Sequence, residues 1–293
     1  MKTQKNDLSG ILWAISSCFF VAIMVGIVRQ TSTEFHVTQI LMMRCFFSVI
    51  LFTPLIVKTN GKIFQTKKLK FHLFRSITGF TAMLMWFYTV TQLPLPEAVS
   101  ITFIVPIITT LAAVLIFKEI VTKRLWMAII LGFIGVLIII RPGFHQIVMA
   151  HILSLIVAVF WSFSNIITKE LTKTDKPQTV ALYVALLIFI MSVPAATPYL
   201  KAMTLTDLIW FFFLGLSANL AHISLSIAYA KTDLSILQPF DFTRLIFISI
   251  IAYFAFDELV DIYMLIGSAI IIFSSFYLSL SKRRNVEVIS IKS

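Results

Sequence analysis

The chain has 293 residues, of which 59% are hydrophobic and only 13% are charged, and its mean hydropathy is +0.97. A soluble domain carries about 25% charged residues. This composition cannot cover a water-facing surface, so it predicts a membrane protein and excludes nucleic-acid binding despite the net charge of +11. Both cysteines, Cys18 and Cys45, lie in apolar runs, which argues against a disulfide scaffold or a cysteine metal site.

Ten apolar runs are long enough to be membrane spans, since a hydrocarbon core of about 30 Å needs about 20 helical residues. In chain order they cover residues 9–28, 37–57, 71–92, 97–117, 125–140, 149–168, 179–199, 206–228, 234–256 and 262–280. Only short connections remain between them. The sequence therefore predicts an all-α integral membrane protein whose working residues lie within the bilayer.

The positive charges predict how these spans are oriented. With the N-terminus inside, the inner connections and tails collect eighteen lysines and arginines, whereas the outer ones hold only Arg29, Arg141 and Lys201. Basic residues concentrate on the cytoplasmic side of membrane proteins. Both termini are therefore expected to be cytoplasmic.

The two halves of the chain match each other when they are shifted by 139 or 140 residues. At this shift Phe20 falls on Phe160, Arg29 on Lys169 and Gly135 on Ser274. Each half contains five spans, and an odd number forces the halves into opposite orientations, as in many secondary transporters. We expect two inverted repeats, residues 1–143 with helices 1–5 and residues 144–293 with helices 6–10 and a short cytoplasmic tail.

Several short motifs resemble the EamA repeats of the drug/metabolite transporter superfamily. The first half contains LPLPEA at 93–98, FIVP at 103–106, FKE at 117–119, GFIGV at 132–136 and RPG at 141–143. The second contains QPFDFTRL at 238–245 and FDE at 256–258, and is similar to bacterial members often labelled S-adenosylmethionine uptake transporters. Leu245 stands where the first repeat has Pro106, which departs from the pattern.

The resemblance implies ten helices around a central cavity, alternating access and no ATPase subunit. Since the sequence has no phosphate-binding glycine-rich loop and no clustered His or Cys ligands, we expect no cofactor. The resemblance also implies a small-molecule substrate, S-adenosylmethionine or a related amino-acid-like compound, moved across the bilayer of the bacterial inner membrane. An exporter of amino acids or other small metabolites stays open as an alternative, as does a homodimer. From another class, a polytopic membrane enzyme or lipid-handling protein stays open too, although no catalytic motif is apparent.

Asp241 and Arg244 are the most informative candidates for substrate binding. They lie roughly 10–15 Å into the ninth span at a helical rise of about 1.5 Å, and a spacing of three places them on one face. Charges at that depth need a partner or a cavity. The pair either neutralises itself or binds a zwitterionic substrate.

Further candidate binding residues are polar or aromatic side chains within the spans. Trp161 and Asn165 are four residues apart on one face of the sixth span, and the third span contributes Trp86 and Tyr88. Arg44, inside the second span, would bind a substrate carboxylate or pair with an acid. By contrast, Arg75 lies near the start of the third span and is expected to extend to the inner surface.

Two prolines within spans are candidate gating residues. Proline lacks an N–H and leaves the carbonyl four residues earlier without its helical partner. Pro106 lies near the middle of the fourth span and Pro239 near the inner end of the ninth. Each predicts either a hinge or a packing kink.

Overall fold

A computed structural model describes residues 7–105, 107–109, 112, 123–141, 148–232, 237–274 and 277. All regular structure in these ranges is helical. We number the helices α1 (Asp7–Thr31), α2 (Val37–Lys58), α3 (Leu69–Gln92), α4 (Leu95–Thr102), α5 (Lys123–Ile140), α6 (Met149–Leu171), α7 (Pro177–Ala196), α8 (Leu205–Lys231), α9 (Thr243–Phe256) and α10 (Ile262–Ser274).

The predicted all-helical membrane fold is confirmed. Helices α1, α2, α6, α7 and α8 are each long and apolar enough to cross a membrane, and shorter apolar helices occur in α4, α5 and α10. Within the predicted fourth span, Pro106 and residues 110–111 and 113–117 lie outside the described residues.

The helices pack in equivalent pairs from the two halves of the chain. Helix α1 packs extensively along α8, and α3 packs in the same way along α6. Because the sequence shift aligns α1 with α6 and α3 with α8, these two contacts correspond to each other. The first helix of each repeat therefore packs along the third helix of the other repeat.

In each repeat, a basic side chain from the first helix binds the carbonyl groups at the C-terminal end of the third helix. Arg29, at the end of α1, donates a hydrogen bond of 3.3 Å to the carbonyl oxygen of Leu93, and Lys169, near the end of α6, donates one of 2.8 Å to that of Thr232. Each cation also binds the carbonyl three residues earlier. The last carbonyls of a helix lack helical partners and attract positive charge. Arg29 and Lys169 thus occupy equivalent positions, as the sequence shift predicts.

The connection between α6 and α7 is fixed to the connection before α3. The Asp175 carboxylate accepts a hydrogen bond of 2.6 Å from Thr66 Oγ1 and lies 2.7 Å from His72 Nε2. Burial alone would raise the pKa of Asp175, but these hydrogen bonds outweigh it and hold the pKa below its ordinary value. The two repeats are therefore joined at this end by a polar contact as well as by packing.

Helices α5 and α10 cross with their backbones in contact. A Cβ atom on Gly135 would lie 2.8 Å from the carbonyl oxygen of Gly267, and one on Gly267 would lie 2.6 Å from that of Gly135. No side chain fits at distances this short. Small residues at such crossings let membrane helices approach closely.

Replacing either glycine should therefore force these helices apart. We expect Gly135→Ala or Gly267→Ala to reduce stability by about 1–3 kcal/mol, the cost of overpacking a tight contact. The measurement is thermal unfolding in detergent, with Leu137→Ala, an exposed position on α5, as the control. Unchanged unfolding of both glycine variants would contradict the close crossing.

Candidate functional site

A cavity lined by both apolar and polar side chains lies among α1, α3, α6, α8 and the segment that leads into α9. The main hydrophobic cluster contributes Met24, Met83 and Phe87 to the lining, yet many other lining residues can form hydrogen bonds or carry charge. These are Ser17, Cys18, Arg75, Trp86, Trp161, Ser164, Asn165, His222, Tyr229, Asp241 and Arg244.

Asp241 and Arg244 form an ion pair at one wall of this cavity. Arg244 Nη2 lies 3.1 Å from Asp241 Oδ2. The Arg244 side chain is buried, whereas 37% of the Asp241 side chain is exposed. A carboxylate that is paired yet accessible can exchange its partner for a charged ligand.

The backbone around this pair differs from the predicted continuous ninth span. Residues Gln238–Phe242 form a 3₁₀-helix, and the α-helix begins only at Thr243. Pro239 lies in the first turn of the 3₁₀-helix, where its missing N–H removes a donor that a continuous α-helix would need. Asp241 and Arg244 therefore lie on either side of the helix start, and the tighter 3₁₀ winding still brings their side chains together.

Two indole rings extend the charged wall. The guanidinium carbon of Arg244 lies 5.5 Å from the ring centroid of Trp161, within the range of a cation–π contact. The ring of Trp161 is tilted against that of Trp86, with 5.1 Å between centroids. One cation and two flat apolar surfaces are thus adjacent, an arrangement suited to a charged molecule that also carries a planar ring.

The cavity gathers five of the seven predicted binding residues, namely Asp241, Arg244, Trp161, Asn165 and Trp86. Tyr88 is 39% exposed and lies beside Arg29 and His36, outside the cavity. Two residues along a helix correspond to a rotation of about 200°, so Trp86 and Tyr88 cannot face the same way.

Arg44 is the other predicted residue that does not line the cavity. Its side chain is fully buried, and Nη1 lies 3.2 Å from the sulfur of Met83. Met83 lines the cavity. Arg44 therefore lies one side chain behind the cavity wall.

The prediction that Arg75 extends to the membrane surface is wrong. Only 6% of Arg75 is exposed, its Nε donates a hydrogen bond of 2.8 Å to Thr168 Oγ1 of α6, and the residue lines the cavity. The packing of α3 along α6 holds the side chain inward. The sequence does contain a signal for this inward direction. Arg75, Gly79, Met83 and Trp86 are spaced as one face of a helix, which places Arg75 on the same face as the predicted binding residue Trp86.

Two related halves that enclose a polar, charged cavity within an apolar helical shell define a membrane transport protein. The model of the EamA-like transporter family matches residues 8–141 and again residues 148–280. The chain therefore belongs to this family, with two repeats, and the predicted superfamily is confirmed. The exact boundary between the repeats at residue 143 stays a prediction.

Individual relatives agree with this assignment. The chain is similar to the S-adenosylmethionine uptake transporter of Rickettsia bellii, at 26% identity over 94% of each chain, and to the riboflavin transporter of Vibrio cholerae, at 25% identity over 94% of each. A solved crystal structure superposes with a TM-score of 0.68, covering 94% of this chain and 98% of the other. At 12% identity, that likeness shows the fold alone.

The ion pair can be tested by removing its charges one at a time and together. Asp241→Asn or Arg244→Gln alone should lower the free energy of unfolding by about 1–3 kcal/mol, because each leaves a charge without its partner. The double variant should unfold closer to the wild type in a thermal scan. Lys173→Gln, which removes an exposed lysine paired with Glu170, is the control, and a double variant less stable than both singles would contradict a self-neutralising pair.

Proposed function

We propose that this protein is a secondary transporter that moves S-adenosylmethionine, or a related amino-acid-like metabolite, across the bacterial inner membrane by alternating access. The observation that carries the proposal is the cavity in which Asp241, Arg244 and the indoles of Trp161 and Trp86 meet. The names of the Rickettsia relatives support the choice of substrate.

The cavity chemistry suits such a molecule. An amino-acid end carries an ammonium, which can pair with the carboxylate of Asp241, and a carboxylate, which an arginine of the cavity lining can bind. The amino-acid end brings one charge of each sign, so both of its charges can be paired by charged side chains of the cavity wall. A planar base can lie against Trp161 and Trp86.

The end of the molecule near Arg29 is a candidate for the outer closure. Arg29 Nη2 lies 2.9 Å from Glu258 Oε1, and the second oxygen of Glu258 accepts a hydrogen bond of 2.7 Å from the backbone N–H of Leu95. This contact joins the ends of α1 and α3, the start of α4 and the connection after α9. Alternating access would require it to open, with Pro239 at the start of the 3₁₀-helix absorbing part of the change on the inner side. A role of Pro106 as a hinge stays a prediction from the sequence.

The proposal also includes the orientation predicted from the charges. A reporter that is active only in the cytoplasm, fused after Ser293, should be active, because eighteen basic residues belong to the side that also holds both termini. A fusion to periplasmic alkaline phosphatase at the same position should be inactive. The reverse pattern would overturn the orientation.

Transport itself is tested with the purified full-length chain in proteoliposomes and no added ATP. We expect uptake of labelled S-adenosylmethionine, lowered about tenfold or more by Trp161→Ala, because base–aromatic stacking is worth about 1–3 kcal/mol. Tyr88→Ala is the matched control, since Tyr88 lies outside the cavity.

Equal loss of uptake in the Trp161 and Tyr88 variants would contradict the cavity as the site. Vesicles preloaded with the compound distinguish uptake from the export alternative. If S-adenosylmethionine is not moved in either direction while riboflavin is, the substrate assignment is wrong.

A further inference from the structure

The guanidinium of Arg75 is held at the cavity wall through its Nε atom. Its Nε is occupied by Thr168, whereas Nη1 is buried and finds no hydrogen-bond partner among the described residues. Gly79 makes room for it, because a Cβ atom there would lie 2.5 Å from Nη1. The local structure therefore fixes the arginine, and Nη1 occupies the space that a side chain at position 79 would take.

The other buried polar atoms of the described cavity residues that have no hydrogen-bond partner are also N–H donors. Among the described side chains that line it, the buried atoms without a partner are Arg75 Nη1, Trp86 Nε1 and Arg244 Nε. All three are N–H donors, and none is an acceptor. A ligand that satisfies them has to supply acceptor oxygens or nitrogens.

The formal charges of the cavity lining point the same way. In the described part of the lining, Arg75 and Arg244 face a single carboxylate, that of Asp241, and Arg44 lies just behind Met83. Because Asp241 pairs with Arg244, no carboxylate among the described residues forms an ion pair with Arg75. Buried charge is retained in proteins when a partner of opposite charge balances it.

We propose that the cavity contains an oxyanion subsite centred on Arg75, which selects substrates that carry a carboxylate or phosphate group. The guanidinium fork matches the paired oxygens of either group. Thr168 positions the fork, and the subsite is separate from the Asp241–Arg244 pair. This inference rests on the proposed transport function and narrows its substrate class to metabolites with an acidic group.

The first test needs no substrate. In a full-length chain with Trp13, Trp126 and Trp210 replaced by Phe, the remaining tryptophans, Trp86 and Trp161, both lie at the cavity. Their fluorescence in detergent is quenched with iodide, caesium and acrylamide at constant ionic strength. We expect iodide to quench more strongly than caesium, and Arg75→Gln to remove that preference while acrylamide quenching stays the same.

Arg75→Lys keeps the charge and should retain most of the iodide preference, which separates a charge effect from a folding defect. Arg141→Gln is the matched control, since Arg141 pairs with Asp261 away from the cavity. Equal quenching by iodide and caesium in the unmodified cavity, or a preference that survives Arg75→Gln, would overturn the subsite.

The second test uses two matched pairs of probes, each differing in one acidic group. S-adenosylmethionine is compared with its decarboxylated analogue, and riboflavin 5′-phosphate with riboflavin, by binding to the detergent-solubilised chain. We expect the acidic member of at least one pair to bind about tenfold more tightly, a difference of about 1.4 kcal/mol, and Arg75→Gln to abolish the difference. The pair that responds identifies carboxylate or phosphate as the group recognised.

The two proposals fail in different ways. If none of the four compounds binds while iodide still depends on Arg75, the substrate assignment is wrong and the subsite stands. If the compounds bind but neither acidic member is preferred, the subsite is wrong and transport stands.

Discussion

The structure is organised by the need to hold arginine side chains inside an apolar shell. A charge at the centre of a bilayer costs at least about 2.5–3.5 kcal/mol, and Arg44, Arg75 and Arg244 are all buried. Each is held by a different element. Arg75 is fixed by Thr168 across the contact of α3 with α6, Arg244 is paired with Asp241 at the start of α9, and Arg44 contacts the sulfur of Met83. All three contacts lie at or next to one cavity. The interactions that lower the free-energy cost of burying these charges therefore also position the residues of the candidate site.

The repeat supplies the frame around these charges. Equivalent cations, Arg29 and Lys169, close the ends of α3 and α8, while Gly135 and Gly267 bring α5 and α10 into backbone contact. These contacts bind helices within and between the repeats, and they involve a cavity residue, Tyr229, only through its backbone carbonyl. A frame built in this way can rock around a fixed central site, which is how repeat-based transporters alternate between their two sides.

Hydropathy and the repeat were enough to predict the helical membrane fold, because span length is set by bilayer thickness. The depth of a charge was enough to find Asp241 and Arg244. What the sequence could not supply was the direction of each side chain about its helix and the identity of the helix opposite. The sequence therefore groups Tyr88 with Trp86 although Tyr88 faces away. It also predicts Arg75 at the surface, because the hydroxyl partner of Arg75, Thr168, is 93 residues further along the chain. The 3₁₀ start of α9 follows from the missing N–H of Pro239, a backbone effect that the hydropathy pattern does not contain.

The claim on which this account depends most is that a transported metabolite binds between the indoles and the arginines of the central cavity. A crystal structure of the full-length chain, grown in lipid with a compound shown to be transported, measures this most directly. We predict ligand density in contact with Trp161 and within hydrogen-bond distance of Arg244 or Arg75. Density confined to another surface, such as the depression beside Arg29, His36 and Tyr88, with the central cavity unchanged, would contradict the account.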